Sequence, residues 1–345
     1  MERYAQIANR QGFPGIPPHS LIGATFKLAE FLKPAYELIK KETLDTQVLL
    51  ADETPHKMLE GDEKTNWFLW GFSNAKACFY ECHDTRSGDV ASAVLKESNC
   101  AVLLTDVYAG YKKAVRETNE KRVDKSHAPI LMAYCNAHAR RMFTPNEQDK
   151  DPAPEAQGFV DKYDEIYALN SQAKGKPLDV VSELRGQMKP IFDSMREAAK
   201  KLIDSVSNKS ALAKACNYFL NNFDGLTLCL TNPSIPIDNN ASERLLRSHV
   251  VGRKTWYGTH SKDGAAAAAI HFTIVESCKL NKINPRAYYA QLIKALHKQE
   301  QIKTPFQYLQ QINSENDSSS NSSTSCYHEK LTQCAKISCI NAVLR

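Results

Sequence analysis

Apolar and polar positions change their period several times along the 345-residue chain, and the changes mark its organisation. Residues 4–33 read at helical period on either side of "QGFPGIPPHS", where Gly and Pro stop regular structure, so two helices are predicted. A helical hairpin fits here better than a DNA-reading helix-turn-helix, because no basic recognition helix accompanies it. From Thr46 the texture turns strand-like. "TQVLLAD" (46–52), "NWFLWGFS" (66–73) and "KACFYECH" (76–83) are short runs of β-branched, aromatic and apolar residues, the last two joined at Asn74-Ala75 as in a meander. A helix over "SGDVASAVLKES" (87–98), a strand "CAVLLTD" (100–106), a helix "YAGYKKAVRETNE", a strand "PILMAYCN" (129–136) and a helix from "AHARRMF" follow.

Three strands, helix, strand, helix, strand is the order of a ribonuclease H-like core, an α/β fold in which a mixed sheet is flanked by helices. Residues 155–223 carry long helical patterns and no clear strand, which predicts an all-helical insertion in that core. Helical texture resumes at Ala241 and again over 265–298. Beyond Asn313 the run "SENDSSSNSSTS" is too polar to bury anything. The expected division is a helical N-terminal segment (1–44), the first part of the core (45–145), the helical insertion (146–232), core completion (233–275), a C-terminal helical segment (276–312) and a disordered Ser-rich tail (313–345).

An apolar fraction of 42% and a charged fraction of 24% are those of an ordinary globular protein. No apolar run approaches the roughly 20 residues that span a bilayer, and the start lacks a secretory core, so a cytosolic (cytoplasmic) protein with no membrane partner is expected. The ten cysteines form no paired framework and read as reduced thiols. Net charge is only +5, yet Arg244, Arg247, Arg253, Lys254 and Lys262 occur in one stretch free of Asp and Glu, a local field suited to a polyanion or simply a solvated basic face. Beside it, Trp256 and Tyr257 could stack on bases or pack in the core.

Asp52 and Asp106 each close a predicted central strand, where ligands of open sheets bind. Carboxylates gathered there repel unless a divalent cation neutralises them. Mg²⁺ suits such a cage, and two ions about 3.5–4 Å apart would support an in-line phosphoryl displacement. A third acid is needed. Glu243 is the candidate, although locally it also reads as the third position of a helix capped by Asn240, and as an i, i+4 partner of Arg247. Both roles fit the local sequence. Cys135 and His138 have metal-like spacing, with Cys82-His83 as conceivable partners, but no second CxxC-type pair completes a four-ligand zinc, and core packing and capping suit them better.

At this point "ADETPHKML" around Asp52, "TDVYAGY" around Asp106, "CNAHARRMF" (135–143), "SALAKACNYFLNNFDGLTLCL" (210–230) and the long block from "IDNNASERLLRSHVVGRKTWYG" to "AYYAQLI" (237–293) resemble, in order, the transposases of the insertion sequence 66 family. The resemblance covers roughly residues 1–310. It implies a ribonuclease H-like catalytic core with a helical insertion, and a catalytic, metal-binding triad of Asp52, Asp106 and Glu243 using Mg²⁺ or Mn²⁺. The implied reaction is hydrolysis at the ends of a transposable element followed by strand transfer into double-stranded target DNA, by a homo-oligomer. Arg244, Arg247, Arg253 and Lys254 would then contact phosphates. It also implies that the family's N-terminal DNA-recognition region lies outside this chain. A DNA-binding remnant without chemistry, or a nuclease that cuts without joining, would share many of these features.

Overall fold

The computed structural model describes residues 2–59, 64–123, 128–144 and 153–320. Two helices, α1 (Glu2–Arg10) and α2 (Pro18–Leu44), precede a five-stranded sheet. Helix α2 starts with Pro18 in its first turn, where a missing N–H costs nothing. It runs through Pro34, whose exposed position puts the lost hydrogen bond on the solvent side.

The strands are β1 (Val48–Lys57), β2 (Asn66–Ser73), β3 (Cys78–His83), β4 (Val102–Thr105) and β5 (Leu131–Tyr134), in the spatial order β3-β2-β1-β4-β5. The β1–β2 and β2–β3 pairs are antiparallel; β1–β4 and β4–β5 are parallel. The Asn74 side chain makes the β2–β3 meander possible by accepting from the amides of Lys76 and Ala77. Helices α3 (Gly88–Glu97) and α4 (Ala109–Val123) supply the crossovers that the parallel pairs require.

Side-chain alternation sorts the sheet's two faces. Leu49, Ala51, Trp70, Phe72 and Leu103 pack with Val94 and Leu95 of α3 and with Tyr111 and Val115 of α4. Leu50, Val102, Leu104 and Ala133 face the other way, into a cluster with α5 (Asn136–Phe143), α6 (Pro154–Ala173), α7 (Leu178–Ser205), α8 (Ala211–Asn221) and α9 (Phe223–Thr231). The all-helical stretch is therefore continuous with the core of the sheet. Phe143, Phe159, Phe219, Phe223, Tyr163 and Phe192 form its aromatic centre through stacked and edge-on contacts.

Helix α10 (Asn240–Trp256) and helix α11 (Lys262–Leu280) cover β2 and β3 on this second face, with Leu246 and Ala269 against Leu69, Cys78 and Tyr80. Helix α11 also packs with α2 and α12 (Pro285–His297) around Leu32, Ile39, Ile274 and Tyr288.

Three expectations shift. Asp52 does not end its strand: β1 continues to Lys57 because β2 pairs with it along that length. What ends at Leu50 is the parallel pairing with β4. The first residue of α10 is Asn240, and its cap is Asn239. Finally, α13 (Pro305–Ser320) carries helix into the Ser-rich stretch expected to be unstructured; residues 321–345 lie outside the described residues.

Candidate active site

Strand register brings the two aspartates together. The parallel rungs run Val48–Val102, Leu49–Leu103 and Leu50–Leu104, so the same offset sets Asp52 opposite Asp106, just past the last rung. Neighbouring strands lie about 4.8 Å apart. Asp52 shares the parity of Leu50 and so points to the face that α10 covers, and Asp106 follows directly on the end of β4. Asp106 closes a tight turn by accepting from the amide of Tyr108.

Helix α10 is held along β1 by contacts at both ends. Asn239 is buried and donates from Nδ2 to the carbonyl of Ala51, the residue before Asp52. In the middle, Leu246 packs by Gly71, which is paired with Asp52. A Cβ at Gly71 would come within 3.2 Å of the Leu246 side chain and 3.1 Å of the Tyr80 ring, so the glycine lets the helix close on the strand beside the acid. The Tyr80 hydroxyl donates to the carbonyl of Leu245. Toward its C-terminus, His249 meets His56 at 3.3 Å, and Arg253 donates to Thr54 Oγ1 and the carbonyl of Pro55. Burial holds His56 down to about 4 and His249 to about 3, with Arg253 reinforcing both, so the pair stays neutral.

Glu243 occupies the first turn of α10, one turn before Leu246. Its amide donates to the carbonyl of Asn239, but its Oε1 is buried without a hydrogen-bond partner. Asn240, expected to fix the helix start, instead binds the Asp238 carboxylate through its own amide and Nδ2.

Electrostatics single out Asp52. Burial first, then the negative charges of Glu53, Glu243 and Asp106, raise its carboxyl to about 8, against a smaller opposing effect from the Glu53 amide. Glu53 has the opposite parity and turns to the other face, where Arg86 holds it at 2.6 Å and the Tyr111 hydroxyl donates to it at 2.5 Å. Glu53 is thus held by a cation and a hydroxyl, whereas Asp52 Oδ1 accepts from the Glu53 amide. An all-oxygen set of carboxylates, one of them held protonated by burial and by its acidic neighbours, fits a hard divalent cation. Asp52, Asp106 and Glu243 are not all within 4.8 Å of one another. Ligand oxygens shared between two ions about 3.5–4 Å apart need not all lie that close to one another.

The expected basic contacts divide. Arg244, Arg247 and Lys254 are exposed, whereas Arg253 is tied to β1. Trp256 leans on His249 and Phe272, a half-exposed core aromatic, while Tyr257 is 69% exposed at φ 67°. The sharp turn there brings Gly258 within a Cβ's reach of the Lys57 carbonyl and lets Thr259 bridge to Met58 at the end of β1. Cys82-His83 does not join Cys135 and His138; His83 binds Glu81 instead. Glu53, Arg86, Asn239 and Tyr111 were missed as site residues, because a charge that faces away from the ligand and a polar side chain that anchors a distant strand leave no local spacing to read.

No helix among the described residues is long and apolar enough to cross a membrane. The model of the family described as "Transposase IS66 family" matches residues 1–267. The chain is similar to three uncharacterized proteins of Sinorhizobium fredii. It is 29% identical to y4hP over 76% of this chain and 50% of that protein, and 27% identical to y4jD over 78% and 54%. The third, y4qI, is 26% identical over 74% and 49%. The chain thus spans about half the length of these curated relatives. With most of its length matched by the family model, the chain belongs to the IS66 transposase family.

Proposed function

We propose that the chain carries the catalytic core of a DNA transposase, which cleaves the ends of an insertion element and joins them to target DNA in the cytoplasm. The observation that carries this reading is the placement of Asp52, Asp106 and Glu243. Asp52 and Asp106 each lie two residues beyond the last parallel rung, and the charges of Asp106 and Glu243 both act on the Asp52 carboxyl, which supports this reading. The strand order β3-β2-β1-β4-β5, with its antiparallel and parallel halves, supports a ribonuclease H-like core. In that reading α6 to α9 are an insertion between the second and third acids.

Asp52, Asp106 and Glu243 would hold Mg²⁺ or Mn²⁺, as a pair of ions in this reading. The metal, when bound, would supply Lewis-acid activation and charge neutralisation for in-line phosphoryl displacement. The protein's share is positioning. Asn239 fixes the start of α10 against Ala51, Gly71 admits Leu246, and Arg253 seals the far end, so that Glu243 is delivered to the aspartates by a rigid helix. Arg244, Arg247 and Lys254 would bind DNA phosphates beside the acids.

The test is incubation of the protein with Mn²⁺ or Mg²⁺ and a labelled duplex bearing candidate element ends. Metal-dependent nicks and joined products, both lost in Asp52→Asn, are expected. DNA binding with no metal-dependent product would sink the enzymatic reading, and nicks without joining would reduce it to a nuclease.

A further inference from the structure

Among the described residues, Cys135, His138 and Glu243 place ligand atoms all within 4.8 Å of one another. They come from two segments. Cys135 follows β5 and caps α5, His138 lies in the first turn of α5, and Glu243 in the first turn of α10. The segments are pinned to the same part of the sheet: the Cys135 amide donates to the carbonyl of Thr105, and Asn239 to that of Ala51.

The inner surface of this cluster is unsatisfied. His138 Nδ1 and Glu243 Oε1 face each other at 3.7 Å, beyond hydrogen-bond reach, and both are buried atoms without a hydrogen-bond partner. Tetrahedral zinc with S, N and O donors separates its ligands by on the order of 3.5 Å, and a cation there would satisfy both atoms. Cys135 is fully buried beneath them, which pushes its thiol up to about 11; the amide of Asn239, which donates to its Sγ at 3.2 Å, offsets this only in part, and a bound metal would supply the rest. The His138 and Glu243 side chains remain about a third exposed, at 28% and 31%, which leaves an entry path and a fourth position for water.

We propose that Cys135, His138 and Glu243 form a site for a borderline-soft divalent metal, Zn²⁺ in chemical class, that competes with the catalytic ions for Glu243. Binding takes up the metal, releases the thiol proton to solvent and changes no oxidation state. Mg²⁺ does not compete for a thiolate and imidazole, whereas Zn²⁺ binds them readily. Glu243 turned toward zinc is lost to the aspartates. Zn²⁺ is thus an inhibitor built on the third acid, a consequence that rests on the proposed role of Glu243 in catalysis; the binding site itself does not.

The test uses the metal-stripped full chain and Co²⁺ alone as a spectroscopic stand-in for zinc. One equivalent should give a thiolate-to-cobalt charge-transfer band that Zn²⁺ displaces. Cys135→Ser should abolish the band, His138→Gln should weaken binding at least about 10-fold, and Asp106→Asn should leave it intact. No band, or a band unchanged in both Cys135→Ser and His138→Gln, overturns the site. If Cys135→Ser fails to fold, His138→Gln, at a partly exposed position, carries the test. In the cleavage assay with Mn²⁺, the Zn²⁺ concentration for half-inhibition should rise at least about 10-fold in His138→Gln relative to that variant's own uninhibited rate. An unchanged value overturns the competition. A cobalt band in a chain that never cleaves DNA leaves the metal site standing and removes the transposase reading; cleavage without the band does the reverse.

Discussion

Replacing Asp52 with Asn separates a carboxylate kept for chemistry from one kept for stability. In the metal-free protein the carboxyl is raised to about 8 by burial and by Glu53, Glu243 and Asp106. Below about pH 4 it is protonated in both folded and unfolded chains, and stability does not depend on it. Between about pH 4 and the folded value the unfolded chain releases the proton while the folded chain keeps it, so stability falls as pH rises. Above that window both are ionised and the penalty is constant. At ~1.36 kcal/mol per pH unit, a window of about four pH units sets a ceiling of ~5 kcal/mol. Local relaxation and water around the side chain bring the expected difference to about 2–3 kcal/mol. Asn fills nearly the same volume without the charge. In EDTA at pH 9, Asp52→Asn should therefore be more stable than the parent by that amount, and the two should converge near pH 4. The assay is urea unfolding across this range in EDTA, repeated with Mg²⁺, which should stabilise the parent and not the variant. A variant less stable than the parent at pH 9, or one with the same pH slope, would refute the reasoning.

Other substitutions probe the frame. Asn239→Ala removes the bond to the Ala51 carbonyl and should cost about 1–3 kcal/mol in denaturant unfolding, with a loss of cleavage beyond what the lower folded fraction explains. Arg253→Ala should cost a similar ~1–3 kcal/mol in denaturant unfolding, because its Nη1 donates to Thr54 and Pro55 and ties α10 to β1. Arg244→Ala and Lys254→Ala should behave differently, each lowering the slope of log K against log salt by about 0.9 with little effect on Tm. Gly258→Ala sets a Cβ 2.0 Å from the Lys57 carbonyl, so the turn after α10 must shift; a loss of more than about 2 kcal/mol is expected by thermal unfolding.

What could be read in advance was what local periodicity encodes. The runs at 46–52, 66–73, 76–83 and 100–106 each became a strand, because their apolar residues have one sheet to fill. Asp52 was misplaced relative to its strand end since polar "ETPHK" looks like a turn until β2 is there to pair with it. Asn240 looked like the cap, yet Asn239 holds that place because its side chain reaches Ala51, a partner 188 positions away that no helix rule contains. Arg253 looked like its basic neighbours; only the packing of α10 on β1 shows that its Nη1 also reaches Thr54 and Pro55. The meeting of Cys135 and His138 with Glu243 was invisible for the same reason. The first two have metal-like spacing in the sequence, but their third partner comes from another helix.

The central claim is that Asp52, Asp106 and Glu243 share divalent cations. A crystal grown with Mn²⁺ tests it directly, because anomalous scattering locates the metal without reference to the chain. The account predicts one peak between the Asp52 and Asp106 carboxylates and a second about 3.5–4 Å away, within ligand distance of Glu243. Mn²⁺ found beside His138 alone, with no peak at Asp52 and Asp106, would contradict it.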